Sequence, residues 1–187
     1  MSKLYIISPP SIELEKFKPK LEAAFEKYKP AAFQLRLKDI SQDDFLAAAK
    51  ALQPICKKHG VTFIINDNPQ IALDANADGV HVGDEDMAIS RARSLLGKDK
   101  IIGASCYNSL EHARKSVEEG ANYISFGAFY PTKTKQAKSR AEIAKLKAWK
   151  KESKVPVSVI GGIDFENKKP LEDAGADYIC MISAIWS

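Results

Sequence analysis

The sequence predicts a (β/α)8 barrel, a closed ring of eight parallel strands in which a helix follows each strand. Short apolar runs rich in β-branched residues alternate with longer amphipathic segments along all 187 residues, and eight such runs can be counted. An open doubly wound sheet is the competing fold, but its glycine-rich turn is missing after the first run, where Ser8-Pro9-Pro10-Ser11 stands. We therefore expect one compact domain, residues 1–187, with short loops, because such barrels usually exceed about 200 residues.

The apolar runs have the length of buried strands. The predicted strands are residues 3–8, 31–36, 61–66, 79–82, 100–105, 122–127, 155–160 and 177–182. Between them, apolar side chains recur at three- and four-residue spacing, which is typical of a helix packed on a core. The clearest repeats are Leu14, Phe17, Leu21, Ala24, Phe25 and Tyr28, then Phe45, Leu46, Ala49, Leu52 and Ile55, then Leu110, Ala113 and Val117.

Signals for helix ends agree with this assignment. Ser41 followed by Asp44 is typical of a helix start, and Gly60 and Gly120 stand where helices are expected to end. The chain stops about five residues after the last predicted strand, so we expect a truncated or missing eighth helix. Trp186, together with a partner subunit or the N-terminal segment, is expected to shield the barrel there.

Composition and charge argue against several classes of protein. Cys56, Cys106 and Cys180 have the spacing of neither a disulfide framework nor a zinc site, which indicates reduced thiols and a cytoplasmic protein. No apolar stretch reaches the length of a signal peptide or a membrane span. The net charge of +4 is uneven, since residues 133–154 hold nine basic and two acidic side chains. Without interleaved aromatic residues, this segment is interpreted as a solvated helix face and not as a nucleic-acid site.

The working face of such a barrel lies at the C-terminal ends of its strands. In this sequence those positions combine cations, carboxylates, hydroxyls and a glycine pair, a mixture that suits a phosphorylated substrate held jointly by side chains, backbone N–H groups and a divalent metal. The residues are Gln34, Arg36, Lys38, Asn66, Asp67, His81, Asp86, Ser105, Cys106, Thr132, Thr134, Lys135, Gly161, Gly162 and Ser183.

Asp67 and Asp86 are the predicted metal ligands. Carboxylate oxygens from two loops, completed by substrate and water oxygens, describe how Mg2+ usually binds. Each residue also has a structural alternative: Asp86 could cap the helix that follows it, and Asp67 could open the turn before Pro69.

Three further features of this face are the alternating polar residues of the second strand, a histidine and a cysteine. Gln34, Arg36 and Lys38 alternate with leucines, so the three side chains should point to one side, into the barrel mouth. His81 could act as an acid or base, or could be a hydrogen-bonded core histidine. Cys106 lacks a histidine placed to activate it, so nucleophilic catalysis is a weak hypothesis.

Six motifs, in order and over nearly the whole chain, resemble those of the thiamine phosphate synthase family. They are Gln34-Leu35-Arg36-Leu37-Lys38, Ile65-Asn66-Asp67, Gly79 to Asp86, Gly103 to Asn108, Pro131-Thr132-Lys133-Thr134-Lys135 and Ile160-Gly161-Gly162-Ile163. The resemblance implies a TIM barrel that joins a pyrimidine methyl diphosphate to a thiazole phosphate and releases pyrophosphate. Asn68, Asp84 and Ala128 depart from the family pattern.

The resemblance also implies a role for each residue. Mg2+ would be the cofactor, held by Asp67 and Asp86 on the diphosphate. The expected catalytic residues are Arg36, Lys38 and Lys135, which would neutralise the diphosphate, and Ser105, which would lie near it. Gln34 and Asn66 would face the pyrimidine. The thiazole phosphate would be bound by Thr132, Thr134, Gly162, Ile182 and Ser183.

Two alternatives stay open beside the synthase. One is an isomerase of the related thiazole-tautomerase type, and the other is a barrel that binds a phosphorylated ligand without turnover. The expected partners are small phosphorylated molecules and no nucleic acid or membrane, with a homodimer as one possible assembly.

Overall fold

A computed structural model of the protein describes residues 1–132 and 140–186. Within these ranges, eight strands alternate with eight helices, and the strands form a closed barrel in chain order, every neighbouring pair parallel. The strands are β1 (Lys3–Ile7), β2 (Ala32–Leu35), β3 (Thr62–Asn66), β4 (Gly79–Val82), β5 (Ile101–Tyr107), β6 (Tyr123–Phe126), β7 (Val157–Val159) and β8 (Tyr178–Met181). The helices are α1 (Leu14–Tyr28), α2 (Gln42–His59), α3 (Pro69–Asp74), α4 (Ile89–Leu96), α5 (Leu110–Glu118), α6 (Ile143–Glu152), α7 (Lys169–Asp173) and α8 (Ser183–Trp186). The predicted (β/α)8 barrel is confirmed.

The strands bury both faces, as parallel strands in a barrel must. Side chains that point outward pack against the helices; Phe33 and Leu35 of β2 are examples, both fully buried. Side chains that point inward form a smaller cluster inside the ring, which includes Tyr5, Ile64 and Tyr123.

The residues predicted to begin and end the second helix do so in the structure. At the start of α2, the Ser41 hydroxyl accepts a hydrogen bond from the backbone N–H of Asp44 at 3.1 Å. The helix ends at Gly60, whose φ of 65° is easily adopted by glycine. These caps fix where the chain turns back toward β3.

The eighth helix is short, as predicted: α8 comprises four residues. Trp186 donates its indole N–H to the carbonyl oxygen of Ile7 at 2.7 Å and packs on Phe17 of α1, with ring centroids 5.0 Å apart. The N-terminal part of the chain therefore covers this side of the barrel.

Two composition-based expectations can also be compared with the structure. Cys56, Cys106 and Cys180 are buried free thiols. None of the helices in residues 1–132 and 140–186 combines the length and apolar character needed to cross a bilayer.

Candidate active site

A cavity of about 360 Å³ opens at the C-terminal ends of the strands. Its size is in the range of small-ligand sites. The predicted site residues that line it are Gln34, Arg36, Lys38, Asn66, Asp67, Asp86, Ser105, Thr132, Gly162, Ile182 and Ser183. Thr134 and Lys135 lie outside the described residues. Of the described residues predicted on the working face, the structure thus brings together all but Cys106, which does not line the cavity.

The end of β2 supplies one wall. Gln34, Arg36 and Lys38 all face the cavity, as their alternation with leucines predicts. Ser8, fully buried after β1, fixes this segment: its hydroxyl accepts the Arg36 backbone N–H at 2.8 Å, and its own N–H donates to the Gln34 carbonyl at 2.9 Å. Ser8 was not predicted as a site residue. A serine at the end of a buried strand can, however, indicate a side chain that holds the neighbouring strand by hydrogen bonds.

The side chain of Gln34 indicates that the cavity binds a polar ligand. Its side chain is 3% exposed, and its amide nitrogen has no hydrogen-bond partner among the described residues. Because a buried amide without a partner costs free energy, such a group in a ligand site is explained by a ligand that accepts its hydrogen bond.

Asp67 and Asp86 lie next to each other. Asp67 has a left-handed backbone, with φ at 65°, directly after β3, and its Oδ2 accepts a hydrogen bond from Lys38 Nζ at 2.6 Å. Asp86 Oδ2 accepts the Gly83 backbone N–H at 2.7 Å. Burial raises the pKa of Asp86 to about 6, and the charge and the side-chain hydrogen bond of Asp67 add to this effect. Two neighbouring carboxyl groups, one of which has its pKa raised in this way, suit a hard divalent cation.

The helix-cap alternative for Asp86 is wrong, whereas Asp67 does stand in the turn between β3 and Pro69, as its structural alternative predicts. The residue that precedes α4 as its cap is Ala88 and not Asp86. Asn68, and not Asp67, caps α3 by accepting the N–H of Ile71 at 3.1 Å. In the described ranges no group of three or more His, Cys, Asp and Glu side chains has the arrangement of a metal site. A metal bound by this pair would therefore need further oxygens from substrate and water.

Arg36 adds a partly desolvated positive charge beside the carboxylates. Burial lowers the pKa of its guanidinium, while the charge of Asp67 opposes that change. Since an arginine keeps its charge in proteins, it is available to pair with an anionic ligand in the cavity.

His81 is hydrogen-bonded through both ring nitrogens. Nδ1 lies 2.9 Å from the hydroxyl of Tyr123, and Nε2 lies 2.9 Å from the hydroxyl of Ser105. Tyr123 in turn contacts the hydroxyl of Tyr5 at 3.0 Å. Of the two interpretations of His81, the hydrogen-bonded one is therefore seen, and it occurs in the cavity wall itself. Tyr5 and Tyr123 were not predicted as residues near the site. Strand alternation could have indicated Tyr123, because it places this side chain on the same face of β6 as Ser125.

The opposite wall is formed where β6, β7 and β8 end. The backbone N–H of Tyr130 donates to the carbonyl of Gly161 at 3.0 Å, so the loop after β6 continues along the end of β7. A β-carbon on Gly162 would lie 2.3 Å from the Pro131 carbonyl oxygen, and its φ is 61°. This close approach requires glycine, and it places bare backbone beside Thr132 and Ser183 in the cavity wall.

Two weaker hypotheses can be compared with the geometry. The Cys106 thiol faces away from the cavity toward Ser116 of α5, 3.6 Å distant, and burial raises its pKa to about 12, which suppresses the thiolate. In the basic segment, Lys147 and Lys151 of α6 are exposed, and the half-buried Lys150 pairs with Asp177 at 2.8 Å. Residues 133–139 of that segment lie outside the described residues.

The chain was compared with protein families and known proteins. The family model described as thiamine monophosphate synthase matches residues 4–185. The thiamine-phosphate synthase of Rhodospirillum centenum is 41% identical over 185 residues, covering 99% of this chain and 89% of the relative. That of Pelagibacter ubique is 42% identical over 184 residues, covering 98% and 88%.

A solved structure gives the same result. A thiamine phosphate pyrophosphorylase from Pyrococcus furiosus superposes with a TM-score of 0.82 at 32% identity, covering 97% of this chain and 86% of that one. More distant neighbours, such as a 3-hexulose-6-phosphate synthase at 18% identity and a TM-score of 0.67, share the fold alone.

Proposed function

The chain belongs to the thiamine monophosphate synthase family, and we propose that it acts as a Mg2+-dependent transferase that makes thiamine phosphate. Its substrates would be 4-amino-2-methyl-5-(diphosphomethyl)pyrimidine and a thiazole phosphate. The observation that carries the proposal is the juxtaposition of Asp67, Asp86, Lys38 and Arg36 on one side of the cavity. Such a group matches a diphosphate, because the two cations and a metal ion held by the two carboxylates would balance its negative charge.

The proposed reaction breaks one bond and forms one. The bond between the pyrimidine methylene carbon and the diphosphate oxygen breaks, and its electron pair leaves with pyrophosphate. The thiazole nitrogen then donates its lone pair to the methylene carbon. No protein nucleophile is consumed in this scheme, in keeping with the outward-facing thiol of Cys106.

The leaving diphosphate would be stabilised by charge. Arg36 and Lys38 would contact it from the β2 wall, Lys135 would contribute a third cation, and Ser105 would donate its hydroxyl. These are the four proposed catalytic residues. Each well-aimed donor of this kind contributes on the order of 3 kcal/mol to transition-state stabilisation.

Mg2+ would be held by Asp67 and Asp86 together with diphosphate and water oxygens. When bound, the ion supplies charge neutralisation for the departing oxygens. Support for this assignment comes from the oxygen-only chemistry of the pair and from the raised pKa of Asp86, which burial causes first and to which the charge of Asp67 adds.

The remaining residues would hold the organic parts of the substrates. Gln34 and Asn66, both buried, would hydrogen-bond the pyrimidine, and the unpartnered Gln34 amide nitrogen supports this role. The thiazole phosphate would lie on the opposite wall. The residues proposed to bind it are Thr132, Thr134, Gly162, Ile182 and Ser183. Holding the two substrates at attack distance would supply much of the remaining rate enhancement.

The test is direct. Purified protein is mixed with both substrates and Mg2+, and thiamine phosphate and pyrophosphate are quantified. We expect both products in equal amounts, a loss of at least about 100-fold with Asp67→Asn, and normal turnover with the surface variant Asp99→Asn. Product formation that persists in Asp67→Asn, or in excess chelator, would contradict the metal assignment. Tight binding in calorimetry without pyrophosphate release would favour the ligand-binding alternative.

The homodimer and the cytoplasmic location stay predictions. A sedimentation experiment on the purified protein decides the first, and a monomer at micromolar concentration would refute it.

A further inference from the structure

Four side chains form one continuous line of hydrogen bonds inside the barrel, and three of them, Tyr5, His81 and Ser105, border the cavity. The line runs from the Tyr5 hydroxyl to the Tyr123 hydroxyl at 3.0 Å, on to His81 Nδ1 at 2.9 Å, and from His81 Nε2 to the Ser105 hydroxyl at 2.9 Å. Tyr5 and Tyr123 are 4% and 7% exposed. Tyr123 is not among the described residues that line the cavity, so it can affect a ligand there only through its neighbours.

The number of protons in this line determines its direction. Burial raises the pKa of Tyr5 and of Tyr123, so both phenols keep their protons. With a neutral imidazole, the four groups carry four donor hydrogens for three hydrogen bonds. One hydrogen is left over: it is that of Ser105 if His81 carries its proton on Nε2, and that of Tyr5 or of Tyr123 if His81 carries it on Nδ1, because the Tyr123 oxygen can accept two hydrogen bonds.

The burial of the two phenols favours the arrangement in which His81 carries its proton on Nε2. Within residues 1–132 and 140–186, the Tyr5 hydroxyl makes a single hydrogen bond, to Tyr123. With the His81 proton on Nδ1, the unused hydrogen would be that of Tyr5 or of Tyr123, and either phenol proton would be buried without an acceptor among the described residues, which costs more than leaving an acceptor unfilled. Tyr5 therefore donates to Tyr123, Tyr123 donates to His81 Nδ1, and Nε2–H donates to the Ser105 oxygen.

We propose that Tyr123, itself oriented by Tyr5, is a positioning residue that fixes His81 as the neutral Nε2–H tautomer and so directs the Ser105 hydroxyl proton toward the anionic part of the substrate. In the opposite arrangement, Ser105 would present only lone pairs to that anion. The inference rests on the proposed function for the identity of the anion, and not for the tautomer, which is a property of the ligand-free protein.

The tautomer can be measured without any substrate. The protein has three histidines, so spectra of a sample labelled with ¹⁵N at the imidazole nitrogens are simple, and His81→Gln identifies the His81 signals. We expect a protonated Nε2 and an unprotonated Nδ1 in the wild type, and loss of this pattern in Tyr123→Phe. A neutral Nδ1–H tautomer, a doubly protonated ring, or a pattern that Tyr123→Phe leaves unchanged would each overturn the proposal.

Kinetics then test the effect on Ser105. We expect Tyr123→Phe to lower kcat about 10-fold with little change in the KM for the pyrimidine diphosphate, because a donor to the leaving group acts mainly in the transition state. Tyr178→Phe is the matched control, since its ring contacts both Tyr5 and Tyr123 but its hydroxyl is not one of the four hydrogen-bonded groups. It should retain wild-type kinetics.

A double-mutant cycle separates positioning from general damage. If Tyr123 acts through Ser105, adding Tyr123→Phe to Ser105→Ala should lower kcat less than about twofold further. Fully additive losses would show that Tyr123 acts by another route and would overturn the proposal. If the wild type makes no thiamine phosphate, the proposed function fails, while the ¹⁵N spectra still decide the tautomer.

Discussion

The ring of Tyr123 occupies the space beside Gly103 on the neighbouring strand. A β-carbon at position 103 would lie 2.1 Å from Cζ of Tyr123, well inside van der Waals contact. Because Gly103 on β5 has no side chain, the phenol of Tyr123 on β6 can pass over it and reach His81 on β4. The hydrogen-bonded line that ends at Ser105 depends on this gap.

Gly103→Ala should destabilise the protein by about 1–3 kcal/mol, because the added methyl group overpacks the barrel interior and displaces Tyr123. The measurement is the free energy of unfolding in denaturant. In a Tyr123→Leu background the same substitution should cost less, since the clash is gone. Equal costs in the two backgrounds would show that the ring is not the obstacle.

Asp86→Asn should stabilise the metal-free protein at neutral pH and not in acid. The pKa of Asp86 is raised in the folded state from 3.8 to about 6, so the folded carboxyl binds its proton more tightly than the unfolded one. The cost of ionising it in the fold therefore appears as the pH rises from about 4 and is complete above about 6. After allowing for solvent screening, we expect a gain of about 1–2 kcal/mol at pH 7.5 and almost none at pH 4. Unfolding is followed in chelator, and a gain that does not vary with pH contradicts the shift.

Gln34→Met should separate stability from binding. Replacing the unpartnered amide by an apolar side chain of similar length should raise the stability of the ligand-free protein by about 1 kcal/mol. The KM for the pyrimidine diphosphate should rise at least about 10-fold, since a hydrogen bond to the substrate is lost. Gln42→Met, at the exposed start of α2, serves as the control and should change neither quantity. A destabilised variant with unchanged KM would show that Gln34 has a structural role only.

Gly162→Ala should impair binding of the thiazole phosphate. Its β-carbon would meet the Pro131 carbonyl at 2.3 Å, so the loop after β6 must move away from the cavity wall. We expect KM for the thiazole phosphate to rise at least about 10-fold. Gly60→Ala is a close control, because Gly60 has a similar φ of 65° with no atom within 4 Å of the added carbon. It should lower stability by about 1 kcal/mol and leave kinetics unchanged. Equal kinetic effects of both substitutions would contradict the steric explanation.

Most of the fold could be predicted because its signals are local. Alternation of apolar runs and amphipathic segments gave each strand to within about two residues; the predicted strand 79–82 coincides with β4, and the predicted strand 155–160 contains β7 (Val157–Val159). Ser41 and Gly60 marked the ends of α2 for the same reason, since a cap is a contact between near neighbours in the chain. The site residues could be predicted as a group because parallel strands all end on one face.

The sequence by itself determined the barrel, the end at which chemistry takes place and, through its motifs, the family. Only the tertiary structure decided how these side chains act on one another: that Asp86 faces Asp67 and does not cap a helix, and that Tyr5 and Tyr123, 118 positions apart, form a line with His81 and Ser105. The physical reason is that periodicity reports which face a residue occupies, whereas a hydrogen bond or a pKa depends on ångström-scale distances between strands that are remote in the chain.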